Sequence, residues 1–169
     1  MQNANGSSIR FIVADGNNVA ADPVSELFAM PSIGQAFRGY TPHAVTHYGA
    51  DFIPDIPKTP PTWPLAPGYG SAWRRRTPEE TVAKYQSAID AGEYCMVGEF
   101  GCRRDTPHEV ALAWMKHCLK LWGSKNLDWA LWNLRGTFGF MDSDRVDVAY
   151  EDYRGHKLDR KMLELLRRY

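Results

Sequence analysis

Four short apolar runs alternate with helical segments along this 169-residue chain, and that alternation limits the fold more than any other feature. Residues 9–14, 33–38, 94–101 and 127–133 each read as a strand: short, apolar, and closed by Gly, Asn or another breaker. The intervening segments carry helix signals. In TPEETVAKYQSAIDAG, Thr77 is the expected N-cap, Pro78 the first helical residue, Glu80 the partner in a capping box and Gly92 the stop. TPHEVALAWMKHCLKLWG repeats the grammar with Thr106, Pro107, Glu109 and Gly123. A short helix is expected over residues 23–30. A last amphipathic helix is expected over 156–169, with Leu158, Met162, Leu165 and Leu166 on one stripe. Strands that alternate with helices are joined by right-handed crossovers and lie parallel in one sheet. Continuous apolar runs suit a sheet covered by helices.

This order places Asp15, Tyr40, Glu99 and Trp132 at the C-terminal ends of the strands. In parallel α/β folds, that is where ligands bind. Glu99 stands in the sequence GEFG, a carboxylate between two glycines that let a substrate or a neighbouring backbone come close. A carboxylate there can also cap the next loop or pair with Arg103 or Arg104. Residues 49–76 form a long Pro-, Gly- and Trp-rich connection, and long ordered loops are usually functional or mobile.

Charge and composition narrow the partners. Lys plus Arg and Asp plus Glu number 20 each, which argues against nucleic acid or an acidic membrane surface. Several Trp lie in Gly- and Pro-rich segments, which favours a ligand with apolar faces edged by hydroxyls, such as a sugar; each Trp reads equally well as core. The three cysteines, Cys95, Cys102 and Cys118, have no zinc-like spacing and read as small buried hydrophobes. MQNANGSSIR lacks the apolar core of a signal peptide, and no apolar run is long enough to span a membrane, so the chain reads as soluble.

GEFG, with FRGYTPHAVTHYGADF before it and LDWALWNLRGTFGFMDSDR after it, resembles glycoside hydrolase family 5. The three blocks match, in order, the back half of that family's eight-stranded barrel. The resemblance therefore implies half of a (β/α)8 TIM barrel, four parallel βα units forming a single domain over residues 1–169. It implies a retaining glycosidase that needs no cofactor or metal and acts on β-linked glucans or related polysaccharides. Glu99 takes the place of the catalytic nucleophile. Tyr40 takes that of the tyrosine hydrogen-bonded to it. Arg38 stands where the family usually has His, and offers a fixed positive charge in the sugar subsite. His47, in THYG, matches a frequent family histidine near the long loop. Trp132 resembles the tryptophan beneath the sugar being cleaved, whereas Trp129 reads as a packed strand residue. Trp63 and Trp73 either extend the cleft or pin their own loop.

One departure is an absence. The family's acid/base glutamate sits in an Asn-Glu-Pro motif on the fourth strand, and these residues contain no such motif. A retaining site needs two carboxyls about 5 to 5.5 Å apart. Asp142 and Asp144 follow the last strand but read as loop caps. Four curved strands also leave two open edges, so closure by homodimerisation around a two-fold axis is expected. The alternative to a glycosidase is a non-catalytic, self-associating half-barrel scaffold that binds sugar weakly.

Overall fold

The computed structural model describes residues 10–55 and 57–169. Four strands, β1 (Ile12–Asp15), β2 (Ile33–Arg38), β3 (Cys95–Phe100) and β4 (Asp128–Leu131), form one parallel sheet in the order β1-β2-β3-β4. Sheet order equals chain order, as a barrel requires. The registers align Ile12 with Ile33, Gln35 with Cys95 and Met96 with Asp128, so all four strands end on one mouth.

The expected strands appear with trimmed ends. Within the expected run 9–14, Ile9 lies outside the described residues, and β1 begins at Ile12. Helical segments precede and follow β2. After a left-handed turn, α1 (Asn17–Ala20), the expected helix over 23–30 shrinks to one turn, α2 (Ser25–Phe28). A further single turn, α3 (His43–Thr46), follows β2.

The two long helices, α4 (Pro78–Asp90) and α5 (His108–Ser124), cover one face of the sheet and use different starts. For α4 the capping box is complete. Thr77 Oγ1 accepts from Glu80 N at 3.1 Å, and Glu80 Oε2 accepts from Thr77 N at 2.7 Å. The same grammar fails for α5. The Thr106 hydroxyl is buried and donates to the Val45 carbonyl at 2.6 Å, and α5 has no capping bond from it. Asp147, from the loop after β4, accepts from His108 N at 2.7 Å instead. Glu109 reaches out to Lys161 rather than closing a box.

The last segment also differs from its reading. His156–Leu158 is a strand, β6, paired antiparallel with β5 (Glu151–Tyr153). The two-residue link Arg154-Gly155 has positive φ at both positions, the backbone of a tight hairpin. Leu158 is thus buried from a strand. The helix, α6 (Arg160–Leu166), starts later, with Asp159 Oδ1 accepting from Met162 N at 3.0 Å.

The core lies between the sheet and α4, α5 and α6. Phe37, Val97 and Phe100 project from the sheet, and Tyr85, Trp114, Met115, Leu119, Trp122 and Met162 meet them. The Trp114 Nε1–H donates to the Thr41 carbonyl at 2.9 Å, so even this buried indole has its polar atom satisfied. The three thiols are free and buried, as read from their positions, and burial pushes Cys95 and Cys102 up to about 11. On the open side of β1, Phe11, Ile12 and Val13 remain exposed. No helix among the described residues is long and apolar enough to cross a membrane.

Candidate active site

Backbone geometry explains the glycines around Glu99. At Gly98 a Cβ would stand 2.8 Å from Ala36 Cβ and 3.4 Å from Arg38 Nη1, pressing on both β2 and its terminal arginine. At Gly101 a Cβ would overlap the Trp132 carbonyl oxygen. The two glycines let β2 and β4 close in on either side of Glu99. Local hydrogen bonds fix the rest. Gly39 N donates to the Glu99 carbonyl at 2.7 Å, and Trp132 N donates to the Phe100 carbonyl at 2.7 Å.

Both oxygens of the Glu99 carboxylate are engaged. Tyr40 Oη donates to Oε2 at 3.1 Å, and Arg38 Nη2 lies 3.2 Å from Oε1. Arg38 also forks onto Asp15, with Nη1–Oδ1 at 3.0 Å and Nη2–Oδ2 at 2.7 Å. One guanidinium therefore sits between two carboxylates. Arg103 and Arg104 do not pair with Glu99. Arg103 binds Asp105 and the Gly49 carbonyl, and Arg104 approaches Asp144. Burial, and then the charge of Glu99, push the Tyr40 phenol far above its ordinary range. Tyr40 is thus a neutral donor at any working pH.

A second layer stands behind Tyr40. His43 and His47, one helical turn apart, stack with centroids 5.1 Å apart, and His47 meets Tyr40 edge-on at 5.2 Å. Phe138 closes the other side of His47 at 5.5 Å. Burial, aided by nearby cationic groups, lowers His47 to about 3 and His43 to about 4, so both rings are neutral. Thr46 Oγ1 donates to the Tyr40 carbonyl at 2.6 Å and lies 2.8 Å from His47 Nδ1. With its one proton used, the hydroxyl accepts from Nδ1–H, which leaves Nε2 as an acceptor. Sequence reasoning picked out His47 but not His43 or Phe138. The four-residue His spacing was the available signal for His43.

Trp132, just past β4, is 49% exposed on the mouth, whereas Trp129 packs edge-on against Phe100 at 5.4 Å. Trp63 follows the second of its two readings. It packs edge-on against His117 of α5 at 5.3 Å and pins its own loop to the helical layer. The Trp73 side chain lies outside the described residues. Asp142 caps the hairpin loop, accepting from His156 Nδ1 at 2.9 Å and from Lys157 N at 2.9 Å. A cavity of about 480 Å³ opens beside Glu99, lined by Arg38, Tyr40, His43, His47 and Arg76 among others. Among the described residues no three His, Cys, Asp or Glu side chains converge as metal ligands.

Solved structures share this architecture. A glycoside hydrolase superposes with a TM-score of 0.78 at 31% identity, over 93% of this chain and 48% of that one. Endoglucanase Cel5A from the hyperthermophilic Thermotoga maritima gives a TM-score of 0.64 at 18% identity, over 96% of this chain and 49% of that one. The chain has the fold of half a family 5 glycoside hydrolase barrel. The cellulose synthase subunit CcsZ from Clostridioides difficile matches this half-barrel with a TM-score of 0.67 at 22% identity, over 92% of the half-barrel and 48% of CcsZ. The half-barrel thus spans about half the length of these solved chains. No family model matches it, and no curated protein matches it in sequence.

Proposed function

We propose that the half-barrel carries the nucleophile side of a retaining glycosidase site that hydrolyses β-linked glucans, with Glu99 as the nucleophile. The observation that carries this reading is the Glu99 carboxylate at the mouth, held on one oxygen by Tyr40 at 3.1 Å and on the other by Arg38 at 3.2 Å. A carboxylate fixed on both sides loses little freedom when it attacks, which is how positioning lowers a barrier. Tyr40 keeps Oε2, and Oε1, the oxygen paired with Arg38, is the one that would approach the anomeric carbon. The half-exposed Trp132 indole offers a platform for the apolar face of a sugar. His47 braces Tyr40, and Arg38 contributes the fixed positive charge of the subsite. Thermotoga maritima Cel5A has been solved with cellobiose and with mannotriose, and sugars of that kind suit the proposed site.

The chemistry then has two steps. Glu99 displaces the leaving oxygen to form a glycosyl ester, and water hydrolyses the ester. An alkoxide leaving group needs a general acid. A 2,4-dinitrophenolate leaves without one. Mixing the chain with 2,4-dinitrophenyl β-cellobioside is therefore expected to release a burst of one dinitrophenolate per Glu99. Release with no burst and no dependence on the protein would refute the reading.

The same proposal includes closure by a second copy. The unpaired edge of β1 and the exposed Phe11, Ile12 and Val13 would be covered by β4 of the other copy. Such an interface resembles a core cut in two and should exceed about 2,000 Å². Light scattering should give twice the monomer mass; a single-copy mass at micromolar concentration would contradict it.

A further inference from the structure

We infer that Arg76 binds a carboxylate of the polysaccharide, so that the cavity beside Glu99 takes a β-linked glucan carrying uronic acid units. The inference rests on the reading of Glu99 as nucleophile and names the substrate class for that site.

The charges around the cavity single out Arg76. Arg38, Arg76 and Glu99 are the charged side chains that line it, since His43 and His47 are neutral. Arg38 is already engaged twice, by its fork onto Asp15 and by Glu99 at 3.2 Å. With both carboxylates ionised, as at neutral pH they ordinarily are, these three groups together carry one net negative charge. The Arg76 guanidinium has no hydrogen bond or ion pair among the described residues. Asp22, whose carboxyl feels the charge of Arg76, is itself bonded to Lys84 and, at 3.2 Å, to Asn18. Arg74 is buried and donates to the Pro54 carbonyl. Arg103, Arg104 and Arg135 each meet an aspartate.

The chain on either side of Arg76 is anchored. Arg75 donates to the Gly70 carbonyl at 3.0 Å, and Thr77 is the N-cap of α4. Arg76 itself is half-buried, so its side chain stays on the cavity wall. A partly desolvated guanidinium with no partner in the fold suits a carboxylate, which it can hold through two parallel hydrogen bonds.

The sheet sets which part of the sugar chain meets it. β3 lies between β2 and β4, and Trp132 follows β4. The cavity lies on the other side of Glu99, with Val19 from the turn after β1, Tyr40 and His47 from beyond β2, and Arg76 from just before α4. A chain with one sugar on Trp132 therefore continues across Glu99 into the cavity. Arg76 meets the units beyond the bond that is cleaved. Neutral glucose units offer it hydroxyls alone, whereas a carboxylate at C6 neutralises it.

The test is binding, measured by calorimetry with two tetrasaccharides of one linkage: cellotetraose and the β-1,4-linked tetramer of glucuronic acid. Wild type should bind the acidic tetramer about tenfold tighter or more, because hydrogen bonds between charged groups are the strong ones. Sodium chloride at about 0.5 M should remove most of that preference. In Arg76→Met, which keeps the apolar stem and loses the charge, the ratio of the two affinities should fall to one or below. Arg76→Lys keeps the charge without the fork and should retain part of the ratio. Wild type that binds the acidic tetramer no tighter than cellotetraose, or does not bind it, would overturn the inference. So would a preference that survives in Arg76→Met with unchanged circular dichroism. If Arg76→Met fails to fold, Arg76→Lys decides: a ratio lowered several-fold supports the inference, and a ratio equal to that of wild type overturns it. The burst from 2,4-dinitrophenyl β-cellobioside reports on Glu99 separately. A burst without the preference overturns the inference alone. The preference without a burst refutes the Glu99 reading and leaves carboxylate binding by Arg76 in place.

Discussion

Glu99→Gln should fold as the parent does and release no burst of dinitrophenolate. The substitution keeps the shape and removes one charge and one acceptor oxygen. The amide oxygen can still accept from Tyr40, and the amide nitrogen then turns toward Arg38. That mismatch is tolerable because the Glu99 side chain is partly open to water and Arg38 keeps its fork on Asp15. The cost in stability should be about 1 kcal/mol. The cost in chemistry is far larger, since an amide does not displace a phenolate to form an ester. Glycosyl transfer should fall by roughly 10³-fold or more, the scale seen when a nucleophile is removed. Stopped-flow absorbance on a variant with unchanged circular dichroism separates the two costs. A surviving burst would mean that another group attacks.

Mild acid should destabilise the half-barrel strongly. His43 and His47 are buried and neutral in the fold, near about 4 and about 3, against an ordinary histidine value of about 6.5 in an unfolded chain. Above that ordinary value neither state binds the proton, and the histidines add no pH dependence. As pH falls below it, the unfolded chain takes up protons that the fold refuses, so stability is lost progressively down to the folded values. At pH 5 each histidine should cost about 2 kcal/mol relative to pH 8, or about 4 kcal/mol together, a large share of a domain's stability. Urea midpoints at the two pH values measure the loss, and His47→Gln should remove about half of the pH dependence. Equal midpoints at pH 5 and pH 8 would show that the rings are protonated or open to water in the fold. Because His47 braces Tyr40, activity should fall over the same range.

The sheet was legible because β2 and β3 are short, mainly apolar runs bounded by strong breakers, a pattern that needs no tertiary knowledge. Helix α4 was legible for the same reason, since its capping box is local. Helix α5 has the same residues at its start, yet Thr106 is drawn to the Val45 carbonyl, and the cap comes from Asp147, 39 residues from His108. Long-range competition of that kind leaves no trace in a local pattern. The β5–β6 hairpin was masked by helix periodicity, as Leu158, Met162 and Leu165 fit one stripe although only the last two lie on the helix. Its turn is Arg154-Gly155 rather than the more familiar Asn-Gly.

At the site, Glu99 and Tyr40 stood out through their strand-end positions and the family resemblance. Their contact crosses 59 residues, and the sequence alone does not show it. Asp15 was visible as a strand-end carboxylate, but its fork with Arg38 depends on the pairing of β1 with β2. Arg38 read as a fixed positive charge in the subsite, and the sequence alone does not show that its guanidinium meets both Asp15 and Glu99. For Trp63 the sequence left cleft and loop pin open, because only the fold shows the long loop turning back onto α5.

The central claim is that Glu99 forms a covalent bond to the sugar. A 2,4-dinitrophenyl glycoside carrying fluorine at the 2-position of the reacting sugar slows the second step and leaves the ester in place. After incubation and proteolysis, peptide mass spectrometry should find one sugar, on the peptide that contains Glu99, and fragmentation should place it on that glutamate. A protein that gains no mass, or that carries the sugar on another residue, would contradict the account.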